Sequence, residues 1–194
     1  MKKLSANLVF TTSMKPGKAA LFILKDLKTI FSDSIYLKRK TYKLRQIISY
    51  LKLKKVKNLV LLTQNPGKFF DFWHLDLEND FSVKYQITSI ILRKSVENCG
   101  KISLHSPELF FNNFKGNINC VLGSMMKRFF IRLPEFKGRQ ILSFFKRKRY
   151  IFIRFHRYIF SATGKDVKIQ ELGPKITLKF QNFFNLIDFK KNFL

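Results

Sequence analysis

Apolar positions along this chain repeat with a period of two in some stretches and of about 3.6 in others, and the switches between them predict its elements. Leu8 to Thr12 is a short β-rich run that stops at Lys15-Pro16-Gly17-Lys18. Ala20, Ile23, Leu24, Leu27 and Phe31 then recur at helical spacing. Ile35 to Leu37 reads as a strand running into Lys38-Arg39-Lys40. Thr41 suits an N-cap for a second helix whose buried stripe is Leu44, Ile47, Ile48 and Leu51. The all-apolar Leu59-Val60-Leu61-Leu62 predicts a strand covered on both faces. Asn65-Pro66-Gly67 predicts a turn.

The period then shortens. Phe69 to Leu75 is a candidate strand, and Val83, Tyr85 and Ile87 alternate with Lys84, Gln86 and Thr88 as a half-buried strand does. Glu97 to Ser106 reads as a connection between two halves. Ile118, Val121, Leu122, Met125, Met126 and Phe129 form the most regular amphipathic helix pattern of the chain. Ile141 to Phe145, Ile151 to Phe160 and Ile176 to Phe180 are further strands. In the last, Ile176, Leu178 and Phe180 alternate with Lys175, Thr177, Lys179 and Gln181. The order βαβαβ, more strands, then a helix and strands again, predicts an α/β or α+β protein of two halves. No repeat of residue identity connects them.

Composition narrows the function more than the fold. The 194 residues carry a net charge of +26, yet 46% are hydrophobic and 23 are Phe, enough apolar material for a packed core. The charge is not confined to a tail. Residues 1–97 hold 19 basic and 7 acidic side chains, a balance of +12; residues 98–194 hold 19 and 5, a balance of +14. Such an excess predicts a polyanionic partner. Nucleic acid leads because neutralised phosphates release counterions, and an anionic membrane surface is the rival. Abundant Lys, Asn, Ile and Phe also fit an AT-rich genome, which makes the 10 Arg the more informative charges. No apolar run approaches the roughly 18 residues of a membrane-spanning helix. Nor does one of signal-peptide length follow Met1-Lys2-Lys3-Leu4, so an intracellular, reducing compartment is expected.

The strongest local feature runs from Arg139 to Phe160. Within it, strand alternation places Phe152, Arg154, His156, Tyr158 and Phe160 on one face. Guanidinium forks interleaved with rings suit phosphate and unpaired bases. The expected RNA-binding residues are Arg139, Lys146, Arg147, Lys148, Arg149, Arg154, His156, Arg157 and Tyr158, with Lys38, Arg39 and Lys40 as a second patch. Core packing of the aromatics, and a solvated turn at Lys146 to Arg149, are the competing readings.

Catalysis finds little footing. His74, His105 and His156 lack metal-ligand spacing, and Cys99 and Cys120 lack a partner motif. Asp71, Asp76, Glu78 and Asp80 cluster, and a solvated acidic loop competes there with a metal-dependent nuclease site. No catalytic residue, metal or cofactor is expected.

Several segments together resemble the Brix-domain family of eukaryotic and archaeal ribosome-assembly factors. They are Phe10-Thr11-Thr12-Ser13 with Lys15-Pro16, Tyr36 with Lys38-Arg39-Lys40, and Pro107-Glu108-Leu109 through Asn112-Asn113-Phe114. In the second half they are Pro134-Glu135-Phe136-Lys137-Gly138-Arg139-Gln140, Phe155-His156-Arg157-Tyr158-Ile159-Phe160, and Gln170-Glu171-Leu172-Gly173-Pro174 with Thr177-Leu178-Lys179. The chain departs from the family pattern at Phe144 to Arg149, where a polar turn with an acid is expected, and at Phe155, where a His is expected.

The resemblance implies one domain over residues 1–194, built as two similar α/β halves of about 7–97 and 98–194. Its fold would be related to the anticodon-binding domain of certain tRNA synthetases. It implies a non-enzymatic factor that binds precursor ribosomal RNA in a nucleolus, of a nucleus or a nucleomorph. The branch with the closest wording serves the large subunit; the small-subunit branch tied to the U3 ribonucleoprotein is the alternative. Other assembly factors and large-subunit ribosomal proteins are the expected partners, with no membrane.

Overall fold

The structure, a computed structural model, describes residues 6–31, 33–65, 67, 69–130 and 132–186. Two compact units divide it. The first comprises residues 1–88 and 179–194, and the second residues 89–178. The change of unit falls before the Glu97 to Ser106 connection, and the chain is back in the first unit from Lys179.

In the first unit, β1 (Leu8–Thr12), α1 (Lys18–Ile30), β2 (Ser34–Tyr36), α2 (Leu44–Leu53) and β3 (Asn58–Gln64) form the expected βαβαβ run. β4 (Phe70–Asp76) and β5 (Phe81–Ile91) follow. β1 pairs in parallel with β2 on one side and β3 on the other, and β3, β4 and β5 are antiparallel neighbours. The two crossovers step in opposite directions from β1. Right-handed connections then put their helices on opposite faces. Accordingly Leu44, Ile47, Ile48 and Leu51 of α2 share a cluster with Val9, Leu59, Leu61, Trp73 and Leu75. The alternate residues Leu8, Phe10, Val60 and Leu62 are equally buried under α1, with Phe10 and Phe31 rings 5.9 Å apart. Leu59 to Leu62 are therefore covered on both faces, as their unbroken apolar run predicts.

The second unit holds β6 (Glu108–Asn112), α3 (Asn117–Lys127), β7 (Gln140–Arg147), β8 (Tyr150–Phe160) and β9 (Val167–Glu171). β10 (Lys175–Asn185) begins in this unit and ends in the first. β6 runs parallel to β7, which is antiparallel to β8, and β9 pairs with one end of β8. Only α3 is available to cover this sheet among the described residues, so one face is covered and one is open. The covered face holds Leu142, Phe144, Ile151, Ile153 and Phe155, each at most 3% exposed. Leu122, Met125 and Met126 of α3 are buried with them. Phe111 stacks on Phe144 at 4.7 Å.

Four expectations change. Thr41 does not cap α2; the N-cap is Lys43, because Lys40 turns left-handed (φ 51°) and the helix starts only where its apolar stripe does. Ile118 and Val121 are exposed, since the first turn of α3 stands clear of the core that its next two turns bury. β6 and β9 are strands that the pattern misses: both are short and largely unburied, though Val167-Lys168-Ile169-Gln170 does alternate. β10 extends to Asn185, beyond the predicted Phe180. Pro66 of the predicted turn lies outside the described residues; Asn65 N–H donates to the Phe69 carbonyl at 2.8 Å across it.

Candidate nucleic-acid interface

The open face of the second unit is built by strand register. Cross-strand partners share a face, so Phe145 and Phe152, Ser143 and Arg154, and Ile141 and His156 stand together. Phe110 of β6 joins them, its ring edge-on to Phe145 at 5.8 Å. Phe152, Arg154, His156, Tyr158 and Phe160 thus do share one face, as their alternation predicts. It is the face without a helix.

What each side chain does there is less uniform. Arg154 Nη1 donates to the carbonyls of Ile153 and Ile176, both at 2.9 Å, and its guanidinium lies 5.7 Å from the Phe152 ring centre. Burial pulls its pKa below the ordinary arginine value, against the pull of Glu171. Half of its fork is therefore committed to the backbone. His156 is also held below the usual imidazole value, by burial first, with Glu171 opposing and Arg154 and Lys175 assisting. The Tyr158 hydroxyl donates to Glu108 Oε1, which raises its pKa, and its ring meets Phe160 edge-on at 5.6 Å.

Arg157 pairs across to Gln140 and so belongs to the opposite face. Arg139 precedes β7 at the same end of the sheet, its carbonyl accepting the Tyr158 N–H at 3.0 Å. Lys146, Arg147, Lys148 and Arg149 occupy the far end, at the tip of the β7–β8 hairpin. Seven residues of β7 separate the ends, roughly 23 Å of strand. The expected RNA-binding cations of this unit divide between two faces and two ends of its sheet.

The hairpin tip is the densest cationic feature. Arg147 pairs with Tyr150, leaving Lys148-Arg149 as a two-residue turn. Arg147, Lys148 and Arg149 are exposed, and none of the four cations has a carboxylate partner among the described residues. Lys148 sits at φ 53°, a left-handed position that favours glycine. Lys146 Nζ donates to the Lys148 carbonyl, and partial burial lowers its pKa. Asn113 Nδ2 holds the Lys146 carbonyl at 2.8 Å, bracing the tip from β6's end.

Several residues in and beside the family-like segments brace this sheet. Gln140, fully buried, accepts from Ser103 N–H at 2.9 Å and donates to the His105 carbonyl at 3.0 Å. Glu135 pairs with His105 at 2.8 Å, which holds its carboxyl below the usual range. A Cβ on Gly138 would sit 2.5 Å from that of His105. Arg93 donates to the carbonyls of Leu172 and Gly100 at 2.8 and 2.9 Å. Phe155 is 2% exposed, so the ring that replaces an expected His belongs to the core.

In the first unit, Lys38, Arg39 and Lys40 join β2 to α2. Lys38 and Lys40 are exposed. Arg39 is only 8% exposed: its Nε donates to the Tyr42 carbonyl at 3.1 Å, and burial lowers its pKa. Arg39 fixes the loop that displays its two neighbours. The same loop and α2 enclose a hollow lined by Tyr42 and Tyr50, which the sequence reading passes over. Its one sequence signal is the Tyr50–Lys54 pair at i, i+4, which here places the ammonium 5.8 Å from the ring centre.

The groups weighed for catalysis have other occupations. Asp71 holds Asn65 at 2.8 Å and Lys84 at 3.0 Å. Asp76 accepts the N–H groups of Glu78 and Asn79, both at 3.1 Å; Glu78 pairs with Lys57 and Asp80 with Lys52. His74 is buried against Asn58 Oδ1 at 3.0 Å. Cys99 donates to the Leu172 carbonyl and Cys120 to that of Phe114, both at 3.2 Å. Among the described residues, no three His, Cys, Asp or Glu gather as a metal site would need, and no helix is long and apolar enough to cross a membrane.

The Brix domain family matches residues 15–182. Ribosome production factor 1 of Rattus norvegicus is 32% identical over 182 residues, covering 93% of this chain and 52% of the relative. Ribosome production factor 1 of Saccharomyces cerevisiae is 28% identical over 172 residues, covering 88% and 58%. The chain spans about half the length of these curated relatives. A probable ribosomal biogenesis protein from Aeropyrum pernix K1 shares the fold, with a TM-score of 0.59 at 12% identity over 90% of this chain and 96% of that one.

Proposed function

This chain belongs to the Brix domain family, and from that premise we propose that it is a ribosome-assembly factor that binds precursor ribosomal RNA while the large subunit matures. The observation that carries the RNA contact is the β7–β8 hairpin tip, where Arg147, Lys148 and Arg149 are exposed and none of the four consecutive cations, Lys146 to Arg149, has a carboxylate partner among the described residues. Arg139 and Arg157 add charge at the other end of the sheet, and Lys38 and Lys40 add it in the first unit. Arg39 and Arg154 position the backbone around these contacts, and His156 and Tyr158 are polar members of the open face. The likeness to ribosome production factor 1 supports the large-subunit branch over the small-subunit one, and a nucleolar site of action. The chemistry proposed is electrostatic and non-enzymatic.

The binding is testable by its salt dependence. Six to ten phosphate contacts would lose roughly 10³–10⁵ in affinity between roughly 50 and 200 mM salt. Crosslinking the protein to RNA in cells and sequencing the attached fragments should return large-subunit precursor. Small-subunit precursor would reassign the branch, and no enrichment of precursor would remove the reading.

A second reading rests on the open face itself. Phe110, Phe145 and Phe160 are 42, 39 and 52% exposed on one side of a sheet whose other side is dry. An uncovered aromatic surface of this kind suits a protein partner within a pre-ribosomal particle. Capture of another assembly factor after nuclease treatment, lost in a Phe110→Ser variant, would support it. Capture that depends on intact RNA would not.

A further inference from the structure

We propose that the hollow between α2 and the loop before it holds a single unpaired RNA nucleotide, with its base against Tyr42 and Tyr50 and its phosphate on Lys38 and Lys40. The inference rests on the RNA-binding reading and names the form of RNA that this part of the chain takes.

The hollow has a volume of about 440 Å³, within the range of roughly 300–1,000 Å³ that houses small ligands. Its floor is core: Ile47 is 4% exposed and Leu37 is packed against the same cluster as α2. Its sides are two rings that remain in solvent, Tyr42 at 57% and Tyr50 at 39% exposed. A hollow with an apolar floor and aromatic walls favours a flat π-surface over a hydrated ion.

Charge selects what carries that surface. Residues 34–57 include nine Lys or Arg and no Asp or Glu. Lys38 and Lys40 line the hollow itself and have no carboxylate partner among the described residues. Lys54 lies over the Tyr50 ring. An acidic residue near the mouth would offset this attraction; the segment supplies none. A ligand that is planar and apolar on its faces and anionic at its edge meets both demands, and an unstacked nucleotide is such a ligand. A duplex is not, because its bases are already stacked and its A-form major groove is closed to side chains.

The polar details fit the same ligand. Gln46 lines the hollow, and its Oε1 accepts the Lys43 N–H at 2.9 Å. That bond orients the amide and leaves Nε2 to donate to a base edge. Arg39, tied to the Tyr42 carbonyl, sets the turn in which Lys40 is left-handed, so the loop is shaped before any ligand arrives. Preorganisation of this kind lowers the ordering cost of binding.

The test uses the full chain and a short single-stranded RNA carrying one 2-aminopurine. Its fluorescence reports stacking and its anisotropy reports affinity. The same base placed in a hairpin stem is the comparison. The single strand should bind with quenched fluorescence, and the stem base should keep its signal. Tyr42→Ala should weaken single-strand binding by about 5- to 150-fold, the loss expected for one base–aromatic stack, and Tyr42→Phe should restore most of it. Lys38→Ala and Lys40→Ala should each reduce the salt slope by about 0.7. Tyr42 and Tyr50 are exposed, so neither alanine variant should alter the unfolding midpoint. RNA binding that is unchanged in Tyr42→Ala and Tyr50→Ala overturns this site and leaves RNA binding elsewhere on the chain intact. A chain that binds neither RNA overturns the site and the parent reading together.

Discussion

Arg154 and Arg157 stand three residues apart on β8 and therefore face opposite ways: Arg154 pairs across to Ser143 on the open face, Arg157 to Gln140 on the covered one. Arg154 spends Nη1 on the Ile153 and Ile176 carbonyls, whereas the Arg157 side chain has no hydrogen-bond or ion-pair partner among the described residues. Two arginines that look alike in sequence thus have separable roles. Arg154→Ala should lower stability by about 1–3 kcal/mol, since two acceptors lose a charged donor. Arg157→Ala should change stability by no more than about 0.5 kcal/mol and should weaken RNA binding with a shallower salt slope. Urea titrations beside RNA titrations at two salt concentrations check both. The same outcome for both residues would contradict the division of labour.

At the hairpin tip, Lys148 carries charge where the backbone favours glycine. A non-glycine residue in the left-handed region costs roughly 1–2 kcal/mol, partly offset by the entropy that glycine loses on folding. Lys148→Gly should leave the unfolding midpoint unchanged or raise it, by at most about 1 kcal/mol, while the salt slope of RNA binding falls by about 0.7. A variant that is less stable yet binds RNA as before would mean that the turn is not under this compromise.

His156 predicts a pH dependence. Burial holds its folded pKa below the unfolded value of about 6.5, so the unfolded chain takes up the proton first. Stability is then complete above about pH 6.5 and declines as pH falls from there to the folded pKa. His156→Gln should flatten the thermal midpoint over that window. Glu135, lowered by its hydrogen bond with His105, acts at lower pH and is common to both proteins. Parallel curves for the two proteins would show that His156 does not carry the slope.

Tyr85 offers a test of the first unit's core. Its side chain is fully buried, its rings of contact are Phe72 and Phe180, and its hydroxyl has no hydrogen-bond partner among the described residues. Burial accordingly pushes its pKa far above the ordinary tyrosine value. Tyr85→Phe keeps the packing and removes the stranded group, so stability should rise by about 1–3 kcal/mol. The urea midpoint should increase at constant slope; a decrease would reveal a role for the hydroxyl.

Most elements of this fold are legible in the sequence because they depend on near neighbours. The apolar stripe of α2, the unbroken run of β3 and the alternation of β5 and β8 each reflect a local period that burial on one face or two enforces. β6 and β9 are poorly legible because short, exposed strands owe their conformation to the partner they hydrogen-bond, not to their own pattern. The start of α3 misleads for a related reason: periodicity says which residues share a side, but not how far the neighbouring sheet extends beneath it.

The sequence by itself determines that the chain folds, that it is strongly basic throughout, and which positions alternate, since charge and periodicity are properties of the chain. Tertiary structure alone decides what each charge can reach. It buries Arg39 in a turn, ties Arg154 to two carbonyls, sets Arg157 on the other face, and shapes a hollow from Leu37, Tyr42 and Tyr50. These outcomes follow from strand register and from which faces the helices cover. Both are set by contacts between residues far apart in the chain, and no local pattern records them.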